Sequence, residues 1–425
     1  MTDFGLRLNR RQLFPFMVGG AALASLVSTT RVYGQQRGTN AQLPSQTAQA
    51  GSPPTPGSRF LYVGTYTAPN LAPGGTVPST AQGVYVFRMD GQSGGLTQVQ
   101  VVPGIENPSW VTTDAQGLHL YATSEVDTWQ GQTNSGGITA FTIDPGTGQL
   151  EQINQRPTMG AIPAHSTIDP SGKYVLVANY TGANFVVFPI EPNGGLGAPT
   201  QIVDLTGNGP DPDRQTAPFA HQIQFDPSGQ WVFGNDLGTD HVWVWSFDAA
   251  MGQLTANHVP AVQVASGSGP RHSAFHPSGK FMYVISEMAS SVTAYKYDSV
   301  KGTAIWMQTV STLPADFGGT SSCAELVMHP TGRWIYGSNR GHNSIVGYRI
   351  DQTTGMLTVI DWWSTQGEIP RGFTIDPSGT LLLAGNQNSD TVVPFRIDSN
   401  GGGLTPTNAA TNTPVPVSFA FGRAL

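Results

Sequence analysis

Arginine, histidine and glutamate residues interrupt a repeated phrase in this chain of 425 residues. The stretch 266–287, SGSGPRHSAFHPSGKFMYVISE, carries Arg271 and His272 before a His-Pro-Ser-Gly turn and ends on Glu287. Close copies of the turn recur along the chain, but these charged residues do not recur with it. A residue present in every copy of a repeat is most simply structural, so residues confined to one copy are the candidates for chemistry.

Histidine, arginine and glutamate side chains together can carry out acid–base chemistry on a ligand that is, or becomes, an anion. A neutral histidine, with an ordinary pKa of about 6.5, can accept a proton from water. Charged arginine side chains can donate hydrogen bonds to an oxyanion, a carboxylate or a phosphate. The candidates outside the repeated positions are His165, His221, Arg271, His272, Glu287, Glu325, Arg340 and Arg371.

Other kinds of site find less support in the sequence. The chain contains no P-loop, no G-x-S-x-G elbow and no H-E-x-x-H pair, which removes several hydrolase mechanisms. A metal site built from His165, His221 and His272 is an alternative, but these residues are scattered and lack the local spacing of metal ligands. Acid–base chemistry by the residues above requires no metal and no organic cofactor, so we expect none.

A recurring turn marks the elements that must position these residues. Copies of a D/H-P-x-G turn lie about fifty residues apart, which is the spacing of propeller blades. The turns begin at Asp114, Asp169, Asp226, His276, His329 and Asp376. A β-rich stretch such as KFMYVISE follows each turn, then a third strand such as SVTAYKYD, and a G-x-L entry into a fourth. The pattern predicts four strands per unit with no helix between them.

The two ends of the chain complete one unit. The segment RFLYVGTYT at 59–67 aligns with KFMYVISEM, the second strand of a unit, so the first unit lacks its own first strand. Near the C-terminus, PVSFAF resembles PRGFTI, which is a first strand. The sequence therefore predicts an all-β, seven-bladed β-propeller with four-stranded blades, closed when the C-terminal strand joins the N-terminal blade. Closure removes an open sheet edge.

When the seven units are aligned, we call the residues at one position a column. Two neighbouring columns at the end of the second strand differ in the kinds of residue they hold. The first holds small polar residues expected to cap the strand: Thr65, Ser124, Asn179, Asp236, Ser286, Asn339 and Asn386. The next holds dissimilar residues: Tyr66, Glu125, Tyr180, Leu237, Glu287, Arg340 and Gln387. First strands line the channel of a propeller and second strands end near its rim, so the non-repeating residues are expected to meet at one mouth.

Simpler interpretations of single residues remain open. Arg271 could stack against a blade face or neutralise a neighbouring glutamate. His276 and His329 only replace the aspartate of the turn and are expected to be structural.

The composition restricts the possible partners. Only 11% of the residues are charged, with 52 Gly and 32 Pro, which favours many turns over long charged helices. The net charge of -7 gives no basic field, so nucleic acid is excluded as an expected partner. The one cysteine, Cys323, rules out an internal disulfide framework and a cysteine-based zinc cluster.

The N-terminus resembles a twin-arginine export signal. Arg10 and Arg11 precede the apolar run FPFMVGGAALASLV, which is too short to span a membrane comfortably. We expect a signal peptide at 1–34, cleaved near Gly34, a disordered Pro/Gln/Ser-rich tether at 35–58 and the propeller at 59–425. The protein would use the twin-arginine export machinery, reach the periplasm and keep no stable membrane span. The alternative is a chance arginine pair before an uncleaved anchor.

From about residue 59 onward the chain resembles the seven-bladed lactonase family, which includes propeller-type 6-phosphogluconolactonases and fungal carboxymuconate lactonizing enzymes. The resemblance is carried by FLYVGTYT, GPRHSAFHPSGKFMYVISE, HPTGRWIYGSNRGHNSI and PRGFTIDPSG. It implies a monomeric lactonase acting on a small sugar-type lactone. An exported enzyme is not expected to meet a cytosolic sugar phosphate, which leaves the phosphorylation of the substrate open.

The resemblance also implies roles for particular residues. His221 corresponds to the family's proposed general base, Arg271 and Arg340 to its anion and oxyanion donors, and Glu287 to a residue that orients a donor or relays protons. His165, His272, Glu325 and Arg371 are further substrate-binding candidates. Two alternatives to a hydrolase are a non-catalytic binding propeller of the cell envelope and a muconate-type lactonizing cyclase.

Overall fold

The computed structural model describes residues 55–68, 70–72 and 75–425, which form seven antiparallel blades. The predicted signal peptide and all of the predicted tether before residue 55 lie outside the described residues. Each blade has strands a to d, numbered outward from the centre, and blade 7 carries one additional short strand. Within the described residues, no helix has the length and apolar character required to cross a membrane. The prediction of an all-β, seven-bladed propeller is confirmed.

The strand bounds follow in the order a to d. Blade 1 contains Pro416–Ala424, Arg59–Thr65, Gly83–Met89 and Leu96–Pro103. Blade 2 contains Val111–Thr113, His119–Ser124, Gly137–Ile143 and Leu150–Pro157. Blade 3 contains Pro163–Ile168, Tyr174–Asn179, Asn184–Pro189 and Gln201–Asp204. Blade 4 contains Ala220–Phe225, Trp231–Asp236, His241–Asp248 and Gln253–Gln263.

The remaining blades repeat the same order. Blade 5 contains Pro270–Phe275, Phe281–Ser286, Ser291–Asp298 and Thr303–Ser311. Blade 6 contains Ser322–Met328, Trp334–Arg340, Ser344–Ile350 and Leu357–Ser364. Blade 7 contains Pro370–Ile375, Leu381–Asn386, Thr391–Ile397 and Leu404–Pro406, and Thr411–Asn412 also pairs with its strand c. Two short hairpins, Asn70–Ala72 with Gly75–Val77 and Thr128–Trp129 with Gln132–Thr133, lie outside the blades.

The C-terminal strand closes the ring. Pro416–Ala424 pairs antiparallel with Arg59–Thr65, so the last strand of the chain is strand a of the first blade. The a strands contact one another in sequence around the ring, and strand a of blade 1 contacts strand a of both blades 2 and 7. The predicted joining of the two chain ends is therefore confirmed.

Apolar cores lie between the blades. Seven clusters of buried side chains each join the facing sides of two neighbouring blades. Tyrosines of the b strands reinforce four of these interfaces by donating a buried hydrogen bond to a glycine carbonyl of the next blade. The pairs are Tyr62–Gly148, Tyr121–Gly194, Tyr283–Gly355 and Tyr336–Gly402. Each such bond contributes on the order of 1 kcal/mol. These four bonds therefore add to the stability of the contacts between neighbouring blades.

The two histidines of the a–b turns have structural contacts. His276 Nε2 lies 3.0 Å from the carbonyl oxygen of Gly332, and His329 Nε2 lies 2.9 Å from that of Gly379. Each imidazole thus connects its own turn to the turn of the following blade. The expectation that these histidines are structural agrees with this geometry.

The connections place the non-repeating residues on one edge of the ring. The a–b turns lie at the opposite edge, because strand a begins beside the end of strand b in each blade, as Pro270 pairs with Ser286. The b–c and d–a connections therefore share the edge at which the b strands end. The longest of them are 66–82, 125–136, 205–219 and 312–321. We call this edge the mouth edge.

The strand-end column lies where the sequence predicts it. Asn339 Nδ2 donates to the carbonyl oxygen of Thr312 at 2.8 Å, and Asn386 Nδ2 donates to that of Thr365 at 2.9 Å. All seven members of the column are buried. Thr65, Asn179 and Asp236 also bond to backbone groups, as expected for caps, whereas the Ser286 hydroxyl has no hydrogen-bond partner among the described residues.

Candidate active site

A cavity of about 450 Å³ opens at the mouth edge, and we call it the mouth chamber. The side chains on its wall that can do chemistry are Tyr66, Glu125, Tyr180, His221, Glu287, Arg340 and Arg371. They come one from each of the seven blades, at the starts of a strands or the ends of b strands. Residues distant in sequence meet here because every blade presents the same edge to the channel.

Glu287 is the centre of an ion-pair cluster. It follows strand b of blade 5, and its carboxylate lies 2.6 Å from Arg214 Nη2, 2.7 Å from Arg340 Nη2 and 3.1 Å from Arg271 Nε. Burial alone would raise the pKa of Glu287, but the Arg340, Arg271 and Arg214 charges outweigh it and hold the pKa at about 2. Glu287 is therefore ionised at neutral pH and fixes the arginines around it.

Arg271 lies behind Glu287 and is absent from the wall of the mouth chamber. Its side chain is 3% exposed, and Nη1 donates to the carbonyl oxygen of Ala324 at 2.6 Å. Burial and the neighbouring Arg340 and Arg371 charges lower the pKa of Arg271 to about 10, so it stays cationic at neutral pH. Of the interpretations that the sequence left open for Arg271, neutralisation of a nearby glutamate matches the structure.

His221 lies on the wall of the mouth chamber with its imidazole neutral at neutral pH. It lies in strand a of blade 4, and its ring meets Tyr180 edge-on with centroids 5.4 Å apart. Burial, followed by the charges of Arg271, His272, Arg371 and Arg340, holds the pKa of His221 well below the ordinary value of 6.5. Its buried Nδ1 has no hydrogen-bond partner among the described residues. At neutral pH the imidazole is uncharged and can accept a proton.

Arg371 carries a second cationic group on the same wall. It belongs to strand a of blade 7, and its Nη2 lies 3.7 Å from Glu125 Oε1. The guanidinium carbon lies 5.2 Å from the ring centroid of Tyr66, whose hydroxyl donates to Glu125 Oε1 at 2.7 Å. Burial would lower the pKa of Arg371, but Tyr66, Glu125 and Glu287 raise it above its ordinary value. Arg371 is therefore permanently charged.

Three of the predicted substrate-binding residues lie deeper in the channel. His272 Nδ1 is 2.7 Å from Glu325 Oε1, and the His272 ring meets His165 edge-on with centroids 5.6 Å apart. His272 and Glu325 face a constriction of only about 10 Å³, which we call the waist. His165 contacts the waist. It also lines a separate cavity, which lies on the side of the waist opposite the mouth chamber. The structure brings these residues together with one another, but Arg371 alone of the predicted substrate-binding set reaches the mouth chamber.

The waist histidines do not form a metal-binding cluster. His272 Nε2 faces Arg271 Nη1 at 3.4 Å while its Nδ1 faces Glu325, so both ring nitrogens have partners within the protein. Burial lowers the pKa of His272 even though Glu325 favours its charged form. In the part of the chain that the structure describes, no group of three or more His, Cys, Asp or Glu side chains is arranged to hold a metal ion.

The charges around the mouth chamber are unbalanced. Arg214, Arg271, Arg340 and Arg371 surround Glu125 and Glu287, and the two neighbouring histidines that titrate near the cluster are held neutral. With the Glu325 carboxylate that lies beneath the chamber beside Arg271 also counted, the site has an excess of one positive charge, in a chain whose net charge is -7. Such a chamber favours a ligand that is anionic or becomes so during a reaction.

A family-wide sequence comparison agrees with this architecture. The family described as "Lactonase, 7-bladed beta-propeller" matches residues 60–421, which is nearly the whole of the propeller. The chain belongs to this lactonase family. The lactonase family assignment therefore covers all seven blades and every residue of the mouth chamber.

Several proteins that are similar to this chain are named as lactonases. A 6-phosphogluconolactonase of Bacillus subtilis is 33% identical over 317 residues, covering 75% of this chain and 85% of that protein. A 6-phosphogluconolactonase of Formosa agariphila is 34% identical over 328 residues, covering 75% and 86% respectively. The solved structure of a periplasmic gluconolactonase of Pseudomonas aeruginosa superposes with a TM-score of 0.77 at 28% identity, covering 87% of this chain and 100% of that one.

Arg214 is the site residue that sequence reasoning missed. It lies in the 205–219 connection, outside the columns that repeat from blade to blade, so comparison of blades could not reveal it. A signal was nevertheless present, because this connection is the longest between a d strand and the next a strand and it leads directly into the strand of His221. An arginine in that long connection was therefore a further candidate for the site.

Proposed function

We propose that the protein hydrolyses a sugar-type lactone in the mouth chamber, with His221 as general base. One observation carries the proposal: a neutral imidazole and the guanidinium groups of Arg340 and Arg371 share the wall of one chamber. The names of the lactonase relatives support this reaction class. No metal is required, because a carbonyl can be polarised by arginine donors.

The reaction begins with a proton transfer. His221 accepts a proton from a water molecule as the water oxygen bonds to the lactone carbonyl carbon. The carbonyl π electrons move to the oxygen, and Arg340 and Arg371 stabilise the resulting oxyanion. When the carbonyl re-forms, the bond from carbon to the ring oxygen breaks, and the protonated His221 donates its proton to that oxygen. The products are a carboxyl group and a hydroxyl group on one open chain.

Glu287 acts by orientation in this mechanism. A pKa of about 2 leaves almost no neutral Glu287 at neutral pH, so a proton relay through its carboxyl group is disfavoured. Its contact with Arg340 at 2.7 Å instead fixes the guanidinium that faces the chamber. Arg271 supports the same carboxylate from behind, which makes Arg271 a positioning residue in this proposal.

The test compares site variants with a structural control. His221→Ala should reduce lactone hydrolysis by about 10²–10⁴ as expected for loss of a general base. Arg340→Ala should reduce it by about 10²–10³ as for loss of an oxyanion donor. Asn386→Ala, which removes a buried strand cap, should lower thermal stability more than turnover. Hydrolysis is followed by acid release at constant pH, corrected for spontaneous ring opening.

The outcomes separate the proposed hydrolase from its alternatives. Parental rates in both His221→Ala and Arg340→Ala would exclude the mouth chamber as the active site. If the parent opens no lactone of a broad panel but binds one, the non-catalytic propeller is the better description. If it instead forms a lactone from an unsaturated diacid, the lactonizing cyclase is favoured.

We also propose that the protein is exported by the twin-arginine route to the periplasm. The support is the pair Arg10 and Arg11 before a short apolar run, together with the periplasmic gluconolactonase that this chain resembles. Replacing Arg10 and Arg11 together by lysine should retain the unprocessed protein in the cytoplasm. An unchanged periplasmic yield of processed protein in that variant would overturn the export proposal.

A further inference from the structure

A second chamber of about 360 Å³ adjoins the mouth chamber, and we call it the side chamber. The two chambers share Glu287 and Arg340 on their walls. The rest of the side chamber is lined by Asp211, Arg214, Met288 and the hydroxyl residues 320–322. The Glu287 carboxylate and the Arg340 guanidinium are therefore the groups at which the two chambers meet.

Two loops build the side chamber, and both are held in place. They are 205–219 and 312–321, the longest connections between a d strand and the a strand of the next blade. Gln215 is fully buried and donates from Nε2 to the carbonyl oxygen of Leu237 at 2.9 Å and to Asp240 at 2.8 Å, which fixes the first loop to blade 4. Ser321 Oγ donates to the carbonyl oxygen of Arg340 at 3.0 Å and fixes the second loop.

Arg214 lies on the wall of the side chamber, next to the carboxylate that both chambers share. Its side chain is 47% exposed, in contrast to the buried Arg271, yet its Nη2 lies 2.6 Å from Glu287 Oε1. The other carboxylate oxygen of Glu287, Oε2, is held by Arg271 and Arg340. A ligand group in the side chamber can contact Arg214 and share the Oε1 atom of Glu287 with it.

The chemistry of the side chamber selects hydroxyl groups over anions. Asp211 Oδ1 accepts from the backbone N–H groups of Asp213 and Arg214, both at 2.9 Å, but Asp211 forms no ion pair with any described residue. A carboxylate accepts hydrogen bonds, so Asp211 can accept further donors from a ligand, whereas the Glu287 carboxylate is already paired with three arginines. Arg214 and Arg340 on this wall are matched by Asp211 and Glu287, so the wall has no excess positive charge for a phosphate or carboxylate, whereas a sugar hydroxyl can donate to Asp211 and accept from Arg214.

We propose that the side chamber is a subsite for a second, uncharged sugar unit, so that the preferred substrate is an unphosphorylated lactone of a disaccharide acid. The lactone ring occupies the mouth chamber beside His221, and the attached sugar lies between Asp211 and Arg214. This inference rests on the proposed lactonase function, and it adds a substrate class and two specificity-determining residues.

The first experiment compares three lactones with the full-length protein. We expect kcat/KM for the lactone of cellobionic acid to exceed that for glucono-δ-lactone and 6-phosphogluconolactone by about tenfold or more, since one hydrogen bond to a charged group is worth at least that factor. Asp211→Ala should reduce kcat/KM for the cellobionic lactone by about tenfold, mainly through KM, and leave glucono-δ-lactone unchanged. Asp211→Asn keeps the acceptor of the turn and removes the charge. It should raise kcat/KM for 6-phosphogluconolactone.

Asp213→Asn is the matched control, because Asp213 is exposed on the same loop but lines neither chamber. It should leave all three rates at parental values. Equal kcat/KM for the mono- and disaccharide lactones in the parent, or equal losses on both in Asp211→Ala, would overturn the subsite.

A binding measurement distinguishes failure of the subsite from failure of the lactonase proposal. Cellobiitol, a neutral disaccharide alcohol that cannot be hydrolysed by a lactonase, should bind the parent in calorimetry and bind Asp211→Ala about tenfold more weakly. A parent that opens no lactone but retains this difference supports the sugar subsite and contradicts the hydrolase. A parent that opens glucono-δ-lactone but shows no difference between the two proteins contradicts the subsite alone.

Discussion

Replacing Glu287 by glutamine tests the electrostatic organisation of the site. The pKa of Glu287 falls from 4.5 to about 2, and at about 1.4 kcal/mol per pH unit the ionised carboxylate stabilises the fold by about 3 kcal/mol relative to the neutral group. Glutamine has nearly the same shape and retains a carbonyl acceptor, so the loss is mainly that of charge. It leaves Arg214, Arg271 and Arg340 facing one another without their shared anion. We expect the free energy of unfolding at pH 7 to fall by about 3 kcal/mol.

The difference in unfolding free energy between the parent and Glu287→Gln should depend on pH in a definite direction. A carboxyl group whose pKa is depressed by folding stabilises the protein above its unfolded pKa, and the stabilisation is lost as the pH falls towards the folded value. The difference between parent and Glu287→Gln should be constant above about pH 5 and should shrink as the pH falls from 4.5 towards 2.

Urea unfolding followed by tryptophan fluorescence measures the difference at each pH. Glu368→Gln is the control, because it removes an exposed carboxylate at the same edge that forms no ion pair with any described residue. The control should differ little from the parent. The reasoning is refuted if Glu287→Gln unfolds with the parental free energy at pH 7, or if its deficit persists unchanged below pH 3.

The remaining predictions concern ring closure and the general base. Deleting residues 416–425 removes strand a of blade 1 and leaves Arg59–Thr65 without its inner partner, so soluble folded protein should be lost; a truncated chain that melts cooperatively near the parental temperature would contradict the closure. The kcat/KM for lactone hydrolysis should rise with pH as His221 loses its proton, and because the pKa of His221 lies well below 6.5 the rise should be complete on the acid side of neutrality. A pH–rate profile with its midpoint at or above pH 7 would show that another group is the base.

The fold could be predicted from the sequence because the residues that specify each turn and strand are close together in the chain and recur in every unit. Each turn such as the one at Asp169 is fixed by neighbouring residues, since its carboxylate accepts from the N–H groups of Lys173 and Tyr174 at 2.7 Å. The resemblance between PVSFAF and PRGFTI was enough to place the last strand in the first blade. Strand order in a propeller follows chain order, so counting the units also determined the ring.

The repeat also separated supporting residues from candidates for chemistry. Asn339 and Asn386 recur because the end of every b strand presents backbone groups that need a partner. Glu287 and Arg340 break their column, and both lie on the chamber wall. The same comparison could not rank the candidates by depth, because the position of Arg271 and His272 at the start of strand a is the same whether their side chains face a chamber or lie beneath it.

The sequence by itself determined the number of blades, the closure of the ring and the edge at which the non-repeating residues meet. Only the tertiary structure decided which residues face the ligand and in which ionisation state. Glu287 is ionised because arginines from blade 5, blade 6 and the 205–219 loop converge on it, and His221 is neutral because the same charges and its burial oppose a further proton. Arg214 and Arg340 are more than fifty residues from Glu287 in the chain, and the strength of every one of these interactions depends on distance and burial, which a linear pattern does not contain.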